Sequence, residues 1–167
     1  MVIKTGKSLP ALYVADEVAW LDAMAELIGG SQLRDLDYRH LKEYLEDMSK
    51  RDRREVEGRL QVLLMHVLKW KFQEKKRMKS WQRTISEQRR HLRGEFRASN
   101  TLRNHAEAVL ADAYAEAVEW AAEESELPAK TFPPIAPGLW SNFCRRRCWR
   151  IKRVCASSES AAKNLSS

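Results

Sequence analysis

The first 133 residues contain no cysteine; all three, Cys144, Cys148 and Cys155, fall in the last thirty-four. The body of the chain therefore has no thiolate for a zinc site, and the three in the tail lack zinc-ligand spacing. No stretch approaches the ~20 consecutive apolar residues of a membrane-spanning helix. Met1 to Leu9 has two lysines but no apolar run follows before Pro10, so no secretory signal is expected and the cytoplasm is the default compartment. Strand hairpins and internal repeats are missing. So are a glycine-rich phosphate loop and a nucleophile motif. Nothing in the chain asks for a cofactor.

What is present is helical periodicity. The chain has 167 residues, 44% apolar and 32% charged, a balance that suits one globular domain. Leu12, Val18, Leu21, Met24, Ala25 and Ile28 recur at helical spacing, and Gly29-Gly30 closes that segment. Asp37 reads as the N-cap of a second helix with Leu41, Tyr44, Leu45 and Met48 inward. Ser49 reads as the cap of a third, carrying Val56, Leu60, Leu63, Leu64, Val67, Leu68 and Trp70. Ser80 precedes a fourth with Trp81, Ile85, Leu92 and Phe96. Ser99 or Asn100 opens a fifth, from Leu102 through Ala106, Val109, Leu110, Ala113, Tyr114, Ala117 and Val118 to Ala121, which stops before Pro128. The expectation is an all-α, single-domain bundle of about five helices over residues 11–133, behind an N-terminal arm at 1–10. Its core should bury Leu60, Leu64, Val67, Trp70, Trp81, Ile85 and Tyr114 together.

The formal charge of +7 is unevenly spread. Residues 134–167 hold seven bases against Glu159, leaving a net of +1 for residues 1–133. Within that body, residues 9–48 carry −6, residues 69–97 carry +8 and residues 98–130 carry −5. Two readings compete. The basic segment 69–97 binds nucleic acid, or its bases face carboxylates of the first or last long helix across the bundle. The second is favoured because the totals nearly cancel.

The remaining constellations are thin. Arg59 and His66 lie seven residues apart, two turns along one helix face, and helical ribonucleases use Arg and His at similar spacing. A histidine bonded to a neighbouring helix is the more ordinary reading. His40, His66, His91 and His105 fall on different segments without metal-ligand spacing, so no metal is indicated. Lys69-Trp70-Lys71 and Lys79-Ser80-Trp81 interleave cations with aromatics that are able to stack bases, although buried rings under lysine stems fit the spacing better.

Leu12-Tyr13, Asp16, Trp20, Leu36-Asp37, His66-Val67-Leu68-Lys69-Trp70, Ser80-Trp81, Ile85, Gln88-Arg89, Leu102, Tyr114 and Ala117 together resemble the domain of unknown function 29 family over residues 12–133. The family has a His-Leu-Leu-Lys-Trp box, then Ser-Trp and an Arg-terminated helix, matched here by His66, Lys69, Trp70, Ser80, Trp81 and Arg89. The resemblance implies a bacterial, all-helical domain and no particular activity. Glu74 stands where the family has proline, so the third helix is expected to run on toward Lys76. After Phe-Pro the family continues Cys-Pro-Trp-Thr, whereas this chain departs at Ile135. A coding sequence compatible with Ile135 to Lys152 reads, two bases in, Cys-Pro-Trp-Thr-Leu-Glu-Gln-Leu-Leu and on to a stop, which is the family's ending in another frame. The atypical basic tail 134–167 is accordingly expected to be a frameshift product, poorly ordered and outside the functional domain.

The expected function is that of a non-catalytic binding module, most simply for a partner protein, without membrane attachment. The alternatives are a nucleic-acid binder through residues 69–97 and a metal-independent ribonuclease using Arg59 and His66.

Overall fold

A computed structural model describes residues 8–133, and these are all-α. They form α1 (Leu9–Ala15), α2 (Glu17–Gly29), α3 (Tyr38–Phe72), α4 (Lys79–Ala98), α5 (Asn100–Ala108) and α6 (Leu110–Ser125), with short 3₁₀ turns at Leu33–Asp35, Glu74–Lys76 and Ala129–Thr131. The chain divides into two compact units, Met1–Asp52 and Arg53–Ser167, and α3 is one unbroken helix that contributes to both.

The helix boundaries differ from the sequence reading in five places. α1 starts at Leu9 with Pro10 inside its first turn, where a missing N–H costs nothing. The first predicted helix is broken at Asp16, whose extended backbone ends α1 and whose Oδ1 accepts from the Ala19 N–H at 3.0 Å to start α2. This break resets the helical phase. Of the expected positions Met24 is buried, but Val18, Ala25 and Ile28 are exposed, and Trp20 and Ala23 are buried in their place. At Ser49 the reverse occurs. The expected cap lies inside α3, because the charged stretch from Glu46 to Glu55 contains neither glycine nor proline and is rich in good helix formers. Leu45 and Met48, expected inward, are exposed there. α3 then stops at Phe72, and the residues toward Lys76 make a 3₁₀ turn instead of extending it. Finally, the fifth predicted helix divides at Val109 into α5 and α6. Ser99 does cap α5, its Oγ accepting from the Leu102 N–H at 3.2 Å.

In the first unit, Leu12, Trp20, Ala23 and Met24 are buried, with Tyr13, Leu36, Leu41 and Tyr44 packed on them. Trp20 lies at the centre, 4.8 Å from the Tyr13 ring edge-to-face and 5.9 Å from Tyr44. Its indole N–H has no acceptor among the described residues, so packing alone fixes it. Asp37 starts α3 by accepting from the His40 N–H and bonds His40 Nδ1 at 2.6 Å, and the His40 ring lies 4.5 Å from Tyr13.

In the second unit, α3 supplies Val56, Leu60, Leu63, Leu64, Met65 and Leu68, α4 supplies Ile85, Leu92 and Phe96, and α5 and α6 supply Ala106, Ala113, Tyr114, Ala117 and Ala121. The small residues of α6 leave room for the larger side chains of α3. Of the expected core, Leu60, Leu64, Trp81, Ile85 and Tyr114 are buried. Val67 and Trp70 are half-buried and pack against this cluster; Trp70 falls just outside the arc of α3 that 60, 63, 64 and 68 define.

Replacing Trp20 by alanine should cost about 3–5 kcal/mol, read as a lowered urea midpoint. A loss below about 1 kcal/mol would mean that the cluster does not hold the first unit together. A second measurement concerns alkaline pH. Burial pushes the Tyr114 phenol above its usual value, and the O–H donates to the Pro133 carbonyl at 2.6 Å. A raised folded-state pKa stabilises the protein below the unfolded value of about 10 and ceases to do so as pH rises past it. Tyr114→Phe should therefore cost about 1 kcal/mol at pH 7 while reducing the further loss between pH 9 and pH 11. An unchanged alkaline slope would assign that loss to other groups.

Candidate functional site

The residues shared with the family box mostly act on the fold. Lys69, near the end of α3, is buried, with its Nζ 4.5 Å from the centroid of the Trp81 ring on α4 and ion-paired to Glu124 on α6. One ammonium thus joins three helices through a cation–π contact and an ion pair. Trp70 is half-buried and carries Arg77 at 5.2 Å over its ring, and Arg77 Nε donates to the Trp70 carbonyl at 2.7 Å. That arginine also pairs with Glu74 at 3.0 Å, which ties the 3₁₀ turn back onto the end of α3. Ser80 is exposed in the first turn of α4 and is not its cap, since the helix starts at Lys79 after Met78. Arg89 is half-buried.

Arg59 and His66 have separate contacts. Arg59 pairs with Glu55 at 2.8 Å and donates to Gln88 Oε1 at 3.2 Å, bridging α3 and α4. His66 Nδ1 donates to the Val62 carbonyl one turn earlier, at 2.8 Å. This bond fixes the imidazole against its own helix, and the guanidinium is already neutralised by a carboxylate. His105 bonds Glu57 at 2.7 Å across α5 and α3. Among the described residues no group of three His, Cys, Asp or Glu side chains is placed to hold a metal ion.

The basic segment divides in two. Lys69 meets Glu124 of the last long helix, as the charge-pairing reading expects, and Arg77 pairs locally. The outer face of α4 behaves differently. Lys79, Arg83, Arg90, Arg93 and Arg97 are all exposed. At 3.6 residues per turn they fall within an arc of about 80°, away from the buried Trp81, Ile85, Leu92 and Phe96. None of the five takes part in an ion pair among the described residues. The stripe runs from the first to the last turn of α4, about 27 Å at 1.5 Å per residue. The spacing of these five bases is readable in the sequence, but net charge alone does not reveal it. The Tyr13–Trp20–His40–Tyr44 cluster is less legible, because its phase depends on the break at Asp16.

Fold and side chains thus define an all-helical domain in which Lys69 and Trp81 lock helices together. The chain matches the family described as domain of unknown function DUF29 over residues 12–149, and it belongs to that family. The match runs sixteen residues past Pro133, into the stretch where the sequence reading has the family's ending in another frame; residues 134–167 lie outside the described part. No curated protein and no solved structure matches the chain. Among the described residues no helix is long and apolar enough to cross a membrane.

If Lys69 joins α3, α4 and α6, Lys69→Ala should lower stability by about 1–3 kcal/mol, and Glu124→Gln by less than 1 kcal/mol because Glu124 is half-exposed. Equal losses in the two variants would show that the carboxylate, and not the Trp81 ring, provides the greater part.

Proposed function

We propose that the protein is a non-catalytic binding module that contacts the phosphate backbone of a nucleic acid through the outer face of α4. The observation that carries this reading is the unpaired stripe of Lys79, Arg83, Arg90, Arg93 and Arg97 on one helix face. Glu87 is exposed at the edge of this stripe, one turn from Arg83 and from Arg90, but pairs with neither. Five cations beside a single carboxylate still repel one another, and a polyanion relieves that repulsion by releasing its condensed counterions. The stripe's ~27 Å length covers about eight base steps of a duplex at 3.4 Å each. Four of the five bases are arginines, which grip phosphate oxygens with two parallel N–H bonds. No aromatic side chain interleaves with them, so the contact is to backbone and not sequence-reading. Arg59 is not counted as a phosphate ligand because Glu55 and Gln88 already hold it.

The full chain should shift labelled duplex DNA or RNA with an affinity that falls steeply as salt rises. The tail adds charge of its own, so the informative comparison keeps the tail and changes only α4. Arg83→Gln/Arg90→Gln/Arg97→Gln should reduce the slope of log K against log salt by about 2–3. An unchanged slope would remove α4 from the interface.

A further inference from the structure

The first unit carries a second surface of the opposite character. Between Ser8 and Gly30 every charged residue is acidic (Asp16, Glu17, Asp22 and Glu26), and no lysine or arginine occurs. α2 is apolar on two sides. Trp20, Ala23, Met24 and Leu27 face the unit's own core. Val18, Leu21, Ala25 and Ile28 recur at i, i+3, i+7 and i+10 and fall within an arc of about 80° on another side. Leu21 is half-buried at the shoulder of this arc, while Val18 is 67% and Ile28 49% exposed, and Ala25 is exposed as well. Their i, i+3, i+7 pattern is that of one helix laid along another.

We infer that this outer face of α2 docks an amphipathic helix of a partner protein whose polar flanks are basic. The charges around the stripe select that occupant. Glu17 lies on one side of it and Asp22 and Glu26 on the other, so an incoming helix with lysines or arginines beside its apolar seam gains favourable pairs at both edges. A second copy of α2 would set acid against acid along the same seam, and an anionic lipid surface would be repelled by all of these carboxylates. The seam from Val18 to Ile28 is about 15 Å long, enough to seat about three turns of a bound helix. The surface lies in the Met1–Asp52 unit and the basic stripe of α4 in the Arg53–Ser167 unit, so the two proposals stand or fall separately.

The test uses the full chain and a synthetic helical peptide with leucines at heptad a and d positions and lysines elsewhere. Its controls are a scrambled peptide of the same composition and a Leu–Glu peptide of the same pattern. Fluorescence anisotropy at physiological salt should show binding of the Leu–Lys helix at least ~10-fold tighter than of either control. Val18→Ser/Ile28→Ser changes two exposed side chains, and its circular dichroism spectrum should match the parent. That variant should lose most of the binding, and Asp22→Asn/Glu26→Gln should weaken it ~3-fold or more and reduce its salt dependence. Absence of binding, equal binding of the scrambled or acidic peptide, or undiminished binding by the folded Val18→Ser/Ile28→Ser protein would overturn the proposal. So would a dimer in analytical ultracentrifugation that dissociates in the same variant, or anionic-vesicle binding that is lost in it, because each assigns the face to another occupant.

Discussion

In the larger unit, the helices after α3 depend on one apolar face, the row of Val56, Leu60, Leu63, Leu64 and Leu68 along the second half of α3. Each of these side chains is almost completely withdrawn from water, a burial of about 1.5–3 kcal/mol apiece before the cost of ordering the chain. α4 contributes Ile85, Leu92 and Phe96 to the same cluster, and α6 contributes Ala113, Tyr114, Ala117 and Ala121. Since α5 and α6 are short, they gain most of their stability from this contact and little from propensity alone.

Polar links then fix how the helices sit on that row. Lys69 is the deepest, a buried cation tolerated because it has both an aromatic face and a carboxylate. Arg59 with Gln88, and His105 with Glu57, tie α3 to α4 and α5. Lys69 and Gln88 also belong to the pattern by which the sequence resembles the family. Lys69, Trp70 and Trp81, whose spacing favours buried rings under lysine stems over a base-stacking surface, are largely spent on holding the structure at the end of α3.

The charges that face solvent have no such use. The outer face of α4 is basic and unpaired, whereas α2 presents an acidic, half-apolar face in the other unit. Cancellation of the total charge therefore does not mean pairwise neutralisation in space. A lone Lys69–Glu124 pair connects the basic segment to the last long helix, while five other bases of that segment stay uncompensated among the described residues.

The class of fold and the inward faces of α4, α5 and α6 were settled by sequence periodicity, because those segments keep a regular 3.6-residue phase that only one face can bury. The caps at Asp37 and Ser99 were equally plain, since short polar side chains before helical runs satisfy otherwise open N–H groups. The phase of α2 depended on Asp16, whose extended backbone interrupts a run that is apolar on both sides of it. Continuity through Ser49 was local instead: the exposed stretch from Glu46 to Glu55 has no glycine or proline and is rich in helix formers, which outweighs the serine's capping signal. The division of Lys69 from Arg83, Arg90 and Arg97 belonged wholly to the folded structure. All four are basic residues on helices, and only the neighbours brought up by packing decide which cation is buried against Trp81 and which are left facing water.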